Sequence, residues 1–264
     1  MTVAVALKVR DGIVLAADSA TTLMAPDGSA ANHNVYNHAN KIVNLCKGTP
    51  IGFMTWGIGG FGSANVAMLA KDFRANKWQP HFAAGYEVRA VAEELARFFQ
   101  GLAEDVSGPF GFLVAGHTPG AQLGEAWVVN LNDGVWSDPE EVLPGEQGIV
   151  WFGQVEWLQR LILGLDISEA VAALTEDLGL PPNQLDQTIK ALLLRTEAVF
   201  IHPAMPIQDV VNLGGFLVEV TKGSVAFAPG PLTVGGPTEI AAITKHEGFK
   251  WVTRKHYYDV ALNP

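Results

Sequence analysis

The chain opens on two apolar runs separated by a turn signal, and this pairing constrains the fold more than any other feature. Thr2-Val3-Ala4-Val5-Ala6-Leu7-Lys8-Val9 alternates small and branched side chains, Arg10-Asp11-Gly12 interrupts it, and Ile13-Val14-Leu15-Ala16-Ala17-Asp18-Ser19 resumes. Short runs rich in β-branched residues flanking an Asp-Gly step read as a β-hairpin. A three-residue loop with Gly12 in the left-handed region is a common connection of this kind; it pairs Val9 with Ile13 and Ala4 with Asp18. Side chains alternate along a strand, so Thr2, Ala4 and Ala6 would share a face with Ala16, Asp18, Ala20 and Thr22. Val3, Val5, Leu7, Val9, Ile13 and Leu15 would form the opposite, core-facing side. A two-residue turn at Asp11-Gly12 would move Asp18 to the other face, because a one-residue slip flips every side chain of a strand.

Further strands are expected near residues 41–46, 50–56, 110–116, 125–131 and 149–152. Helices are expected near 63–76, with Ser63 as N-cap, and near 86–104, where Val88, Val91, Ala92, Leu95, Phe98 and Phe99 recur on one face. Three more are read near 155–163, 168–178 and 183–198. Residues 206–222 fit either a strand around Phe216-Leu217-Val218 or a helix with Val210, Val211, Leu213, Leu217 and Val220 in one stripe. The helix is the reading adopted, although Gly214 and Gly215 each cost it about 1 kcal/mol relative to alanine.

Thr2 follows Met1 directly, and a small second residue permits removal of the initiator methionine. A threonine at the mature N-terminus carries both a hydroxyl and an α-amine, whose ordinary pKa of about 7.7 to 8.0 suits a general base. The amine is one way of activating an otherwise weak hydroxyl nucleophile. While Met1 remains, that amine is blocked.

Several segments together resemble proteasome β-type subunits and their bacterial relatives, which are N-terminal nucleophile hydrolases. They are Thr2-Val3-Ala4-Val5-Ala6, Asp11 to Asp18, Ala20-Thr21-Thr22, Asn40-Lys41-Ile42, Phe53-Met54-Thr55-Trp56-Gly57 and, late in the chain, Gly235-Gly236-Pro237 through Gly248-Phe249. The resemblance covers roughly the first 100 and last 60 residues. It implies an α+β fold, a four-layer αββα sandwich with two antiparallel sheets, formed by residues 1–264 as one domain with a helical insertion at about 165–205.

The same resemblance assigns roles. Thr2 would be the nucleophile and, through its amine, the proton acceptor. Lys41 would favour the neutral amine, since a nearby ammonium disfavours a second positive charge. Asp18 would hold Lys41, and the Gly57 N–H would stabilise the oxyanion, a donor worth about 3 to 4 kcal/mol. Thr22 would line the substrate-backbone groove and Thr55 the pocket floor. Two family positions differ here. Pro231-Leu232-Thr233-Val234 stands where an acid and a serine are expected before the Gly-Gly pair, and Gly153-Gln154 stands in place of a mid-chain serine. An amide donates and accepts hydrogen bonds but does not shuttle a proton as a hydroxyl does.

The activity implied is cleavage of peptide or other amide bonds through an acyl-enzyme, within a homo-oligomeric ring or stacked assembly that takes peptides or unfolded protein, with any ATPase partner unspecified. A non-catalytic ring subunit and a small-molecule amidase or acylase are the alternatives. No propeptide is expected, so activation would rest on removal of Met1. With 264 residues, 48% of them apolar, the chain suffices for a full core. Its net charge of −10 argues against nucleic acid or anionic membrane as main partner. No apolar run is read as a membrane span, and a cytoplasmic location is expected. Cys46 is the single cysteine and cannot form an internal disulfide. His33 and His38 lack partners at ligand spacing, so no metal or cofactor is expected. Gly57-Ile58-Gly59-Gly60-Phe61-Gly62 lacks the lysine of a phosphate loop. Trp127, Trp136, Trp151 and Trp157 read as core or interface aromatics.

Overall fold

A computed structural model describes residues 2–23, 34–82, 84–102 and 108–262. The N-terminal hairpin forms from β1 (Val3–Lys8) and β2 (Gly12–Ala17), every residue of both being buried. Its register differs by one residue from the expected one. Val9 N–H donates to Gly12 O at 3.0 Å, which closes a two-residue turn at Arg10-Asp11, and Lys8 therefore lies opposite Ile13 and Ala4 opposite Ala17. Gly12 is required for another reason than a left-handed turn. β14 (Glu239–Thr244) runs alongside β2, and a Cβ at Gly12 would sit 2.5 Å from the Ile243 carbonyl oxygen. The slip exchanges the faces of β2: Ile13, Leu15 and Ala17 join Ala4 and Ala6, while Val14 and Ala16 join Val3, Val5 and Leu7.

Two antiparallel sheets organise the described residues. In the first, β15 (Gly248–Thr253) and β13 (Gly148–Gly153) flank the others in the order β13-β1-β2-β14-β15. The second contains β5 (Ile42–Asn44), β6 (Ile51–Gly57), β9 (Phe110–Gly116), β10 (Glu125–Asn132) and β11 (Val135–Trp136), with β12 (Glu140–Glu141) also paired to β10. Two small hairpins, β3 (Thr21–Leu23) with β4 (Asn34–Tyr36) and β7 (Gly60–Phe61) with β8 (Ala64–Asn65), lie outside these sheets.

The inner faces meet through Ala4, Ala6, Ile13, Leu15, Met54 and Leu113, and Trp56 stacks on Phe152 at 3.9 Å between ring centres. Small side chains on β1 and β2 let the sheets approach. The outer face of the second sheet packs Phe53, Phe110 and Phe112 on α1 (Val66–Phe73) and α3 (Val88–Gln100), with α2 (Gln79–Phe82) beside them. Burying each large apolar side chain contributes about 1.5–3 kcal/mol. On the first sheet's outer face lie α4 (Glu156–Ile162) and α7 (Ile207–Phe227), contacting Val3, Val5, Leu7, Val14 and Ala16. The layers thus run helix, sheet, sheet, helix, as the expected α+β sandwich requires.

Asn65, not Ser63, caps α1, its Oδ1 accepting Met68 N–H at 2.9 Å, because residues 60–65 are used by the β7–β8 hairpin. The ambiguous segment is helical as α7. Gly214 is accommodated because the helix lies close to β1 and β2: a Cβ there would meet Leu7, Val14 and Ala16 at 3.2–3.4 Å. By length and composition α7 could cross a membrane, contrary to the expectation that no segment reaches that threshold. Its buried stripe, including Val210, Leu217 and Val225, is laid on the sheet, as for a core helix. Residues 165–205 carry α5 (Ile167–Ala172) and α6 (Pro182–Thr196), and no residue of either helix is fully buried.

Candidate active site

Thr2 enters β1 with 2% of its surface exposed. Its carbonyl accepts Gln154 N–H at 2.7 Å, and Gly153, at φ +85°, leaves no space for a Cβ, which would strike that same carbonyl. Asp18 follows the last residue of β2 and is completely buried. Its N–H donates to Val3 O at 3.2 Å, while its side-chain Oδ1 accepts Val3 N–H at 3.0 Å. The carboxylate therefore takes the place of a backbone acceptor at the strand end and turns towards Thr2 despite the altered register. Oδ2 accepts N–H groups of Ala20 and Gly235, both at 3.0 Å.

Lys41 immediately precedes β5 and is 5% exposed. Its Nζ lies 2.6 Å from Asp18 Oδ1. Burial pushes the ammonium below its ordinary range; the Asp18 charge and hydrogen bond oppose this, and Lys255 adds to the depression. The Lys41 carbonyl accepts Thr55 N–H at 3.0 Å, fastening the lysine to β6.

A cavity of about 50 Å³ is lined by Thr2, Lys41, Thr55 and Gly57 together with Thr21 and Trp56. Four of the six residues expected in a site thus share one cavity, and Asp18 lies behind it, bonded to Lys41. Gly57 has φ +83°, and a Cβ there would collide with the Pro109 carbonyl. The Thr55 hydroxyl donates to Gly111 O at 3.0 Å. The Thr22 backbone pairs with Val35 in β3–β4, while its side chain lies outside the described residues. Thr21 is the lining threonine that sequence reasoning did not select; the adjoining Thr-Thr pair offered no local signal to choose between them. A larger space of about 330 Å³ adjoins and shares Thr21, Ala39, Asn40 and Gly59 with the first, adding Tyr36 and His38. His33 lies outside the described residues. Among the described residues no cluster of three His, Cys, Asp or Glu could hold a metal.

At the positions that depart from the family pattern, Thr233 Oγ1 donates to Gln154 Oε1 at 3.4 Å, and Gln154 Nε2 donates to Glu156. Gln154 therefore tethers Thr2 through its backbone and reaches the 231–234 segment through its amide. A second lysine–carboxylate pair was not anticipated. Lys255 Nζ lies 3.0 Å from Glu239 Oε2, and the latter also accepts Lys41 N–H at 3.4 Å.

The described chain is a layered α+β protein whose facing sheets enclose a buried Thr, Asp and Lys beside a glycine-walled cavity. Among solved structures it is similar to "Anbu (ancestral beta-subunit) from Yersinia bercovieri", at 13% sequence identity and a TM-score of 0.51, over 97% of this chain and 89% of that one. At this identity the likeness is one of fold alone. No family model matches the sequence, and no curated protein matches it significantly.

Proposed function

We propose that this chain is a threonine-type N-terminal nucleophile hydrolase that cleaves peptide or other amide bonds. The observation that carries the reading is the double use of Asp18 Oδ1, which binds Lys41 Nζ and the amide N–H that follows Thr2. One buried carboxylate thereby holds the lysine beside the residue proposed as nucleophile.

Removal of Met1 would expose the Thr2 amine. The Lys41 ammonium would then favour its neutral, basic form. The amine takes the hydroxyl proton as Thr2 Oγ1 forms a bond to the scissile carbonyl carbon, and the Gly57 N–H is proposed to face the resulting oxyanion. The tetrahedral species collapses to an ester on Thr2, and the amine's proton passes to the departing amine of the substrate. Water then attacks the ester with the Thr2 amine again as base, releasing the acid and restoring the hydroxyl. Thr21, Thr55 and the adjoining larger space would receive the substrate. A homo-oligomer is part of the proposal, supported by α5 and α6, which bury no residue completely, and by exposed Leu178 and Leu194 on or next to these helices.

Intact-mass measurement after treatment with a peptide epoxyketone tests the reading. The expected result is loss of Met1 and one covalent adduct, absent in Thr2→Ala. A chain that retains Met1 and takes no adduct would overturn it.

A further inference from the structure

Lys255 lies beyond β15 in Arg254-Lys255-His256, a string that reads as ordinary surface charge. Its side chain is nevertheless 10% exposed, and Glu239 is 1% exposed. The ammonium makes three contacts: Glu239 Oε2 at 3.0 Å, Ser19 Oγ at 2.6 Å and the Ala39 carbonyl at 2.7 Å. These match the three donors of an ammonium. They belong to three segments that converge on the site. Ser19 adjoins Asp18, Ala39 is two residues before Lys41, and Glu239 accepts the Lys41 backbone N–H. Further bonds join the same segments, Ala39 N–H to Ser19 O and Ser19 N–H to Gly235 O, both at 2.9 Å.

We propose that Lys255 and Glu239 form a positioning pair which locks the segments bearing Asp18 and Lys41 and balances the charge around Lys41. This rests on the hydrolase reading for its catalytic meaning, but the geometry stands without it. Four charged groups are gathered here, three of them buried and the fourth, Lys255, largely covered: Asp18 after β2, Lys41 before β5, Glu239 at the start of β14 and Lys255 after β15. Their formal charges cancel. A free Thr2 amine would be the other titratable group facing them. Removal of Lys255 leaves Glu239 uncompensated and favours a charged Lys41, whereas neutralising Glu239 leaves Lys255 to disfavour it. Both directions agree with the influences acting on Lys41.

The test follows the protonation of the Lys41 amine by NMR in lysine-labelled full-length protein, alongside the rate of epoxyketone adduct formation. Lys255→Met is expected to raise the Lys41 midpoint by about one pH unit and Glu239→Gln to lower it by a similar amount. Opposite shifts support the pair, and a mere loosening of the fold would not produce them; shifts of one sign, or none, overturn it. If Lys255→Met fails to fold, the downward shift in Glu239→Gln decides alone. With the wild type reactive, Glu239→Gln, which disfavours the charged Lys41 that the hydrolase reading requires, should slow adduct formation by up to about tenfold, the rate equivalent of one pH unit, whereas Lys255→Met should not slow it. If the wild type forms no adduct, the hydrolase reading fails while the NMR midpoints still decide the pairing.

Discussion

Asp18 Oδ1 accepts Lys41 Nζ at 2.6 Å and, on the same oxygen, Val3 N–H at 3.0 Å. Strand end and lysine are thus bound by one atom, and the Ala20 and Gly235 amides complete the carboxylate's bonds through Oδ2. Every partner is a donor, so the site is built for an anion. An ionised carboxylate is acceptor-only, whereas an asparagine must direct an NH₂ group at some of the same donors.

Asp18→Asn should therefore be strongly destabilising. Removing one member of a buried ion pair costs about 3–5 kcal/mol, because the other is left charged and unpaired. Urea unfolding of the two proteins measures it, and a loss below about 1 kcal/mol would show that the carboxylate is not the anchor described.

Much of the site is legible because its parts are local. The alternation of Val3 to Lys8 and the apolar run before Asp18 announce strands, and Lys41 stands next to its own strand, so motif and element coincide. The hairpin register is not legible, since it depends on β14 passing Gly12, over 230 positions away in sequence. The expected face of Asp18 is accordingly wrong while its partner is right: beyond the end of the ladder, backbone amides rather than strand parity direct the carboxylate. Lys255 and Glu239 escape for a related reason. Nothing near Arg254-Lys255-His256 signals burial, and Ser19, one of the partners that buries Lys255, is 236 residues distant. Conversely, α7 is recognisable despite Gly214 and Gly215 because its apolar stripe spans several turns, and only the structure supplies the reason for glycine at 214, the close approach of β1 and β2.

Gly153→Ala tests how Thr2 is seated. At φ +85° a side chain is strained, and here the new methyl would also run into the Thr2 carbonyl that Gln154 N–H holds. Gly179, at φ +63° with open space around it, provides a control that carries backbone strain alone. Gly179→Ala should cost about 1 kcal/mol and Gly153→Ala about 3 kcal/mol or more. Denaturant midpoints report the difference. Equal costs would mean that the close approach to Thr2 contributes nothing.

Tyr86 gives the alkaline limb of stability a traceable source. Its hydroxyl donates to His117 O at 2.9 Å, and burial, aided by the Cys46 charge, pushes the phenol up to about 12. The unfolded phenol ionises near 10. Folding therefore favours the protonated form, so this contribution is complete below pH 10 and disappears as pH climbs towards 12. Lys8, Lys41 and Lys255 act oppositely: burial pushes all three below 10.5, and their contribution rises as pH approaches that value. Comparing wild type with Tyr86→Phe cancels these lysines. Near neutrality the wild type should be more stable by about 1 kcal/mol for the hydrogen bond. That advantage should shrink between pH 10 and 12 in paired urea titrations, and an advantage that grows there would contradict the buried, donating phenol.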